Sequence, residues 1–464
     1  MAIVNPNAGF QIAYQQNFLA RFFEEGLDSL MAYRRDAKQE LIPVGAGETI
    51  TKTRYGRLAP VPTPLNPANV IGLDNGVNYV TANLEQYTYN VNEYTNGQQL
   101  DLLYTQMSIG DQLLVLAKNN GVNAAQTIER VAKQTWFASY NTGNTWCRSD
   151  LGASSSTAFH VDDIRGFQFA PVAGKMQPVT SGNPLTVFEY ATVSGGNNQT
   201  LSITAAVADS PTQSVYPSSV YGQASDGISG VLTMVSTGTD VTSGDAIVSS
   251  LATPVIRPNG KQGTNLLTPG DQLTLQLINN AVAVLEANAV PRHSDGCYHL
   301  YYDFQSQSEL FIDQQFILAS ASRIADTEYQ NGQIFSLYGT KFIPTTEAYL
   351  QALNTTAGMQ APAAGGTNVH RVLITGAEGL CQGNFAGLES YAEHQGVGQI
   401  SNIFMIDNVA HILRSPIDNQ GRSVTMVWLA AFGMVCPTDL TATPATIPTA
   451  NNATFKRAIV IEHC

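Results

Sequence analysis

Residues 47–58 read GETITKTRYGRL, a strand whose two parities are Thr49, Thr51, Thr53, Tyr55 and Ile50, Lys52, Arg54. Both faces are polar, so the strand brings little apolar surface of its own to a core. Its return is the stretch from Val77 to Glu93, which puts Val80, Ala82 and Leu84 on one parity and Tyr87, Tyr89 and Val91 on the other. That change of parity predicts a bulge or sharp twist near Glu85. Between the two lies LAPVPTPLNPANVIGLDNG, where Pro60, Pro62, Pro64 and Pro67 forbid a regular ladder. Residues 47–93 are therefore expected to form a long hairpin arm with a proline-rich tip. An isolated hairpin is marginal in water and its open edges invite pairing, so the arm should lie on another surface.

The first arm strand carries Lys52, Arg54 and Arg57 against Glu48, a net +2 on a chain of formal net charge −13. Opposite patches on identical copies would attract, and complementary charge chiefly sets register and encounter rate. A head-to-tail contact of that kind closes into a ring when the rotation allows. With both faces of the strand polar, the arginines are expected to be dispensable for folding of the subunit.

The 464 residues are 44% hydrophobic, ample for a sizeable core, yet only 13% are charged. Asn, Gln, Ser and Thr carry the polarity instead, a balance that suits surface buried against neighbours. The acidic charge excludes a broad polyanion-binding face, which needs clustered Lys and Arg. No basic segment followed by an apolar core opens the chain, and no run of about 18 apolar residues occurs, so a cytoplasmic site of synthesis and no membrane are expected. The cysteines at 147, 297, 381, 436 and 464 are odd in number and far apart, and read as free thiols. The sequons at Asn198, Asn354 and Asn452 then carry no meaning.

Phe18, Phe22, Phe23, Leu27, Leu30 and Met31 recur at helical spacing and predict an amphipathic helix within 10–38. A segment from Asp111 to Asn119 is expected to stop at Gly121, with a new helix capped by Asn123 and Gln126 and buried through Ala125, Ile128, Ala132 and Trp136. Another helix is expected to open at Thr268, with Pro269 first and Asp271 following, and to bury Leu277, Ile278, Ala281, Val282 and Leu285. Between these helices, residues 171–260 contain 34 Ser, Thr or Gly and seven charged residues, and the alternating runs LTVFEYATV, QTLSITAAV and GVLTMVS predict a small antiparallel sandwich or barrel inserted into the host.

Beyond residue 295 strands and helices alternate: CYHLYYDF, a helix from Ser308 to about Thr327, and then YQNGQIFSLYGTKFIPTTEAY (329–349). In that last stretch Gly332 and Gly339 bracket Ile334, Phe335 and Leu337 before a second short strand at Phe342 and Ile343. Strands follow in HRVLITGAEGLCQGNF, ISNIFMIDNVAHILRS, SVTMVWLAAFGMVC and FKRAIVIEHC. Catalytic signals are weak. Gly376, Gly379 and Gly383 depart from the G-x-G-x-x-G spacing of nucleotide turns. His293, Asp295 and Cys297 sit in a Pro-Arg-His-Ser-Asp-Gly stretch that reads as a solvated turn. His394 and His411 lack partners at metal-ligand spacing, and neither a Walker loop nor a nucleophile elbow is present. No catalytic residue, metal or cofactor is expected.

The order of parts, together with LTPGDQLTLQLINNAVAVLEANAVPR followed by DGCYHLYYDFQSQSELFID, NGQIFSLYGTKFIPTTEA and HRVLITGAEGL, resembles the major capsid proteins of tailed bacteriophages, in a podovirus-type branch. That fold is shared with encapsulins and the floor of herpesvirus capsids. The resemblance covers nearly the whole chain outside 150–262. It implies an α+β fold with an N-terminal arm and helix (1–46), an extended loop (47–93), and a peripheral domain with a long spine helix (94–149). An all-β module (150–262), a peripheral helix (263–294), an axial domain (295–430) and a return to the peripheral domain (431–464) complete it.

The resemblance further implies a structural subunit of an icosahedral shell, assembled in a bacterial cytoplasm into hexamers and pentamers that enclose double-stranded DNA without reading its sequence. Identical subunits and scaffolding, portal and cement proteins are the implied partners. Lys52, Arg54, Arg57, Pro60, Pro62, Pro64, Tyr87 and Tyr89 form the expected assembly interface, and Ala125, Ile128, Ala132 and Trp136 the core face of the spine helix. Some members of the fold link an arm lysine covalently to a neighbour's asparagine. Lys52, the one lysine of this arm, lies well short of the tip, and a noncovalent shell is expected. The alternatives are an encapsulin-like shell around cargo enzymes and, from another class, an enzyme with a nucleotide turn at Gly376.

Overall fold

The computed structural model describes residues 20–27, 32–45, 47–56, 58, 60–62, 82, 84–101, 112–148, 157–191, 198–210, 227–235, 241–321, 336–351, 368–395, 401–414, 423–439, 445–448 and 456–464. The fold is α+β, organised around one helix, Gln112–Tyr140, 29 residues long. Its small and branched residues Ala124, Ala125 and Ile128 pack with Trp428, Ala430 and Phe432 of one sheet. One turn further on, Ala132, Trp136, Phe137 and Tyr140 pack with Tyr301, Leu373 and Val460 of a second. Ala125, Ile128, Ala132 and Trp136 are all fully buried.

The helix runs unbroken through Gly121, where the sequence predicts a stop. A Cβ on Gly121 would lie 2.3 Å from the Phe23 carbonyl oxygen, and one on Gly26 would lie 2.4 Å from that of Lys118. The two glycines let the helix at 20–27 touch the long helix backbone to backbone. Asn123 is no cap either: its Oδ1 accepts from Trp428 Nε1 at 3.0 Å and Asn96 Nδ2 at 2.9 Å.

Phe23 and Leu27 are buried, as the helical spacing requires, but the helical pattern does not reach Lys38. Residues Tyr33–Asp36 form a 3-10 turn and Lys38–Ile42 a strand. Phe18, Leu30 and Met31 lie outside the described residues. The turn is fixed by Glu129 of the long helix, whose Oε1 accepts from Ala32 N at 3.0 Å and Tyr33 N at 2.7 Å, and whose Oε2 accepts from Arg34 N at 3.3 Å.

In the first sheet the 13-residue strand Ser423–Val435 is central. Asn92–Asp101 pairs along one edge, and Cys381–Phe385 and Val409–Arg414 along the other. Ser401–Ile406 then pairs with Val409–Arg414, and Lys38–Ile42 runs parallel to Cys381–Phe385.

The second sheet has the order Val255–Ile256, Ala458–His463, Val369–Thr375, Tyr298–Tyr302, Thr340–Pro344, Ser336–Leu337, with Tyr349–Gln351 also on Val369–Thr375. The helix Leu275–Ala287 covers it through Ile278, Ala281 and Leu285. That helix begins with Thr274 as its cap, not at Thr268. Thr268 and Asp271 instead close a turn, Asp271 Oδ2 accepting from Thr268 N at 2.7 Å and Thr268 Oγ1 at 2.8 Å. The next helix starts at Phe304 and breaks at Asp313, where a second begins. Asp313 Oδ2 accepts from Leu275 N at 2.7 Å while Oδ1 caps Gln315 N at 3.1 Å, which explains the break.

The division drawn at 430 cuts through Ser423–Val435. The last strand, Ala458–His463, joins the sheet of 298–375, so the chain returns there rather than to the sheet that carries the arm. At the hub of this second sheet Glu462 is buried between Arg257 Nε (2.7 Å) and Arg371 Nε (2.8 Å). Burial would raise its carboxyl, but the two guanidiniums outweigh that and hold it at about 2.

The β-rich segment is a barrel. Its sheet runs Asn144–Trp146, Ala246–Ser249, Leu185–Tyr190, Gln199–Ala208, Gly230–Met234, Ala158–Val161. A bridge from Cys147 to Val161 joins the two end strands and closes the ring around Phe159, Val187, Leu201, Ile203, Leu232 and Ile247. The barrel starts at Asn144, directly after the long helix and before the boundary at 150. None of the five cysteines is in a disulfide, and no helix among the described residues is long and apolar enough to cross a membrane.

The glycine contact gives a test with an unusual sign. Alanine in place of an exposed helical glycine stabilises by roughly 1 kcal/mol. At Gly121 the added methyl meets a backbone carbonyl, and overpacking of that kind costs about 1–3 kcal/mol. Gly121→Ala is expected to lower the thermal unfolding midpoint, and a raised midpoint would show that the two helices are not in contact.

Candidate assembly arm

The arm is the antiparallel pair Thr49–Tyr55 and Leu84–Asn90, in unbroken register from Thr49↔Asn90 to Tyr55↔Leu84. The bulge expected near Glu85 is absent. Glu85 stays in phase with Tyr87 and Tyr89, so the change of parity seen in the sequence puts a carboxylate on the inner face instead of bending the strand. The outer face is a ladder of small polar groups, with Thr51 Oγ1 and Thr88 Oγ1 3.2 Å apart and Gln86 Nε2 donating to Thr53 Oγ1 at 3.5 Å.

The inner face binds the chain's own body. Tyr89 is fully buried and Tyr87 nearly so, packed with Ile42, Cys381 and Val435, and their rings meet edge-on at 5.6 Å. Neither tyrosine offers itself to another copy. They anchor the arm's base on the first sheet, whose parallel strands Lys38–Ile42 and Cys381–Phe385 supply the floor.

Arg54 also turns inward. Its guanidinium pairs with Glu85, the two side chains being 12% and 2% exposed, and its Nη1 donates to the Glu378 carbonyl at 3.3 Å. For Arg54 this corrects the expectation that the strand's arginines are dispensable for folding: a carboxylate at position 54 would face buried Glu85, and breaking such a pair from one side costs about 3–5 kcal/mol. Lys52 is 40% exposed and lies 3.7 Å from Glu40. Arg57 and Pro64 lie outside the described residues.

Past the Arg54–Glu85 pair three described side chains of the arm present apolar surface. Tyr55 is 74% exposed, Leu58 60% and Val61 57%, flanked by exposed Pro60 and Pro62. These three side chains were not among the residues expected at the assembly interface. The signal was present as large apolar residues on a strand end that proline bars from any ladder.

The remaining candidates are structural. Gly376 donates its N–H to Arg457 O at 2.7 Å and Ala377 to Pro291 O at 2.9 Å, so these amides do not face a phosphate. A Cβ on Gly379 would meet the Trp136 ring at 2.6 Å and one on Gly376 would meet Val290 at 2.4 Å, which gives both glycines a packing role. His411 is fully buried against Phe23, their rings 4.6 Å apart, and burial alone holds it neutral, near 4. His394 lies on the helix Leu388–Gln395. A groove of about 530 Å³ beside the helix Leu275–Ala287 is lined by Asn259, Gln272, Gln276 and Asn280 with Arg257, and by no carboxylate, imidazole or thiol.

The turn at 291–297 is exposed at Pro291, Arg292, Ser294, Asp295 and Gly296, as expected, but its His293 turns inward. His293 stacks on His299 at 4.0 Å and 10°, and Asp36 sits beside both. These three could offer ligand atoms to a metal ion. An imidazole lone pair lies in its ring plane, however, and two stacked parallel rings cannot both aim at one ion. His299 is moreover held at both nitrogens, by Asp36 at 2.7 Å and Asp295 at 2.8 Å. The group works as a buried ionic clasp that ties the 3-10 turn to the second sheet, with Tyr301 and Thr375 also donating to Asp36 and Lys341 pairing with Asp295. Burial disfavours each charge, but the mutual contacts win: Asp36 is lowered, Asp295 is lowered to about 2 and His299 is raised. His293 is lowered, chiefly by burial.

No protein-family model matches the chain, and no curated protein matches it. Among solved structures it is similar to the capsid of Ralstonia phage GP4, at 10% identity over 92% of this chain and 86% of that one, with a TM-score of 0.46. It is likewise similar to the capsid asymmetric unit of cyanophage Pam1, at 9% identity over 94% of each chain, with a TM-score of 0.44.

The clasp sets a pH dependence on two sides. Depressed carboxylates contribute stability that is present above the unfolded value near 4 and lost as pH falls through the folded values. Raised His299 contributes stability that is full below about 6.5 and lost as pH rises through its folded value. The unfolding midpoint is expected to peak between these limits, and His299→Gln to flatten the alkaline decline while lowering the peak. An unchanged alkaline limb in that variant would show that the clasp carries no charge.

Proposed function

We propose that this chain is the structural subunit of a tailed-phage capsid, and that its arm is the element by which one copy holds the next. The observation that carries the reading is the division of the arm at Arg54–Glu85: the inner face of the base is buried in the chain's own body, and Tyr55, Leu58 and Val61 beyond it are uncovered. The capsid-type sequence motifs and the packing roles of the glycine turn support the same reading. Hexamers and pentamers enclosing DNA, with scaffolding, portal and cement proteins as partners, follow from it. So does assembly in the bacterial cytoplasm. The net charge of −13 suits a container whose wall must not grip packaged DNA.

Magnitudes favour apolar docking over the charge-led docking that the sequence suggests. An exposed ion pair contributes about 0–1 kcal/mol. Burying a Leu or Val side chain contributes roughly 1.5–3 kcal/mol. Tyr55, Leu58 and Val61 thus outweigh Lys52 as the source of affinity, and Lys52, partly engaged by Glu40, tunes encounter and register. A heterologous contact between arm and body is compatible with closed rings.

The test is the double variant Leu58→Asp with Val61→Asp, which leaves the anchored base untouched. The soluble subunit should unfold with the wild-type midpoint, and closed particles should fall at least tenfold in yield by sedimentation and electron microscopy. Wild-type particle yield would refute arm docking. Particles from wild-type protein that carry foreign protein and exclude nucleic acid would favour the cargo-shell alternative.

A further inference from the structure

The arm strand Leu84–Asn90 spends one edge on Thr49–Tyr55. Its other edge meets the short segment 445–448. Gln86 N donates to Ile447 O at 3.0 Å, and Ile447 N donates back to Gln86 Oε1 at 3.1 Å. The residues just before Ile447 bond in another direction. Met176 N donates to Thr446 O at 2.8 Å and Ala445 N donates to Met176 O at 2.8 Å. Met176 belongs to the hairpin Phe169–Val172 and Lys175–Pro178, which is seated on the barrel through Ala170 of the barrel core. Three consecutive residues, 445–447, are thus hydrogen-bonded to the barrel's hairpin at one end and to the arm at the other.

We propose that segment 445–448 is a strap through which the barrel positions the arm, so that the arm leaves the body at an angle set by the barrel. The proposal rests on the reading that the arm is the assembly element. Its physical basis is the difference between the two contacts at the arm's base. Tyr87 and Tyr89 hold the inner face by apolar burial, which is strong but non-directional. Such a contact fixes how close the hairpin lies to the sheet but not its angle, and on the inner face the bond from Arg54 Nη1 to the Glu378 carbonyl, at 3.3 Å, constrains that angle loosely. Hydrogen bonds fall off steeply when misaligned. The pair at Gln86, on the outer ladder and away from the apolar anchor, therefore removes the remaining lateral freedom. The strap's own path is fixed at Ala445, which holds φ at +67°, and Thr446 is nearly buried at 6% exposure.

The strap can be cut at one residue. Proline fixes φ near −65° and has no N–H, so Ala445→Pro is incompatible with the observed backbone and deletes the bond to Met176. Ala445→Gly keeps the N–H and adopts positive φ freely, and is the matched control. The readout is amide hydrogen exchange in the soluble, unassembled subunit, which reports local opening residue by residue.

In Ala445→Pro the amides of both Met176 and Gln86 are expected to exchange at least tenfold faster than in wild type. The barrel strand Gln199–Ala208 should keep its protection, and Ala445→Gly should match wild type throughout. Gln86→Ala, which removes only an exposed-face side chain, approaches from the other end. Ile447 should lose protection and Met176 should follow. Loss at Met176 with Gln86 unchanged in the first variant, or loss at Ile447 with Met176 unchanged in the second, would overturn the coupling.

Particle yield of Ala445→Pro then reads the consequence and should fall at least tenfold. Wild-type yield from a subunit whose Gln86 amide has loosened would overturn the strap's role in positioning. Failure of the assembly reading itself registers separately, in the Leu58→Asp, Val61→Asp variant, which leaves the strap intact.

Discussion

One buried carboxylate, Glu129, underlies most of the architecture. It sits midway along the long helix and accepts three successive backbone N–H groups from residues 32–34. Burial pushes its carboxyl up to about 7, and the three backbone bonds oppose that rise. Charge-assisted bonds to a helpless backbone are among the stronger polar contacts a core can hold. By fixing this turn, Glu129 places Asp36 against the stacked histidines and starts Lys38–Ile42 in register beside Cys381–Phe385. The arm's tyrosines then pack on Ile42 and Cys381. Helix, both sheets and arm are thus referred to a single side chain, which is why the arm can be set at a defined place on a chain with so few charges.

The arm separates two tasks that a hairpin usually combines. A two-stranded ribbon alone cannot hold its shape, and one that is wholly buried cannot reach a neighbour. Here the inner face is spent on the body up to the Arg54–Glu85 pair, and the apolar residues beyond it remain open. The ion pair marks the change. Its two side chains are 12% and 2% exposed, and Arg54 also donates to the Glu378 carbonyl of the body.

The strands and the buried helical stripes were legible because alternation and 3.6-residue periodicity are local signals. Ala125, Ile128, Ala132 and Trp136, the buried face of Leu275–Ala287, and the barrel strands at 185–190, 199–208 and 230–234 all belong to that class. What failed depended on partners distant in sequence. Gly121 reads as a helix stop unless the approach of residue 23 is known, since glycine at a cap and glycine at a crossing look alike. The Thr268 to Asp271 bonds have the chemistry of a helix start but close a turn, because Thr274 takes the cap. Glu85 suggested a bulge because a carboxylate on an apolar parity is improbable without its arginine, and that arginine is 31 positions away. The same blindness hid the clasp at His293 and His299, whose carboxylate arrives from residue 36. Tyr55, Leu58 and Val61 were visible as letters, but only their exposure distinguishes them from core.

The barrel enters and leaves the chain through neighbouring strands. Asn144–Trp146 and Ala246–Ser249 are paired antiparallel, Ser249 N donates to Gly143 O at 2.7 Å, and Thr253 Oγ1 donates to Tyr140 O at 2.8 Å. The two ends of a unit of about a hundred residues therefore occupy the space of a tight turn. A host in which a short loop follows the long helix needs no rearrangement to accept such a unit, because loop-closure entropy grows only logarithmically with the length inserted. A barrel closed by the bridge at Cys147 and Val161 also leaves few free edges to mispair with the host during synthesis. Such a topology lets a barrel be enlarged, exchanged or removed at one point of the chain while the spine helix and both sheets stay where they are.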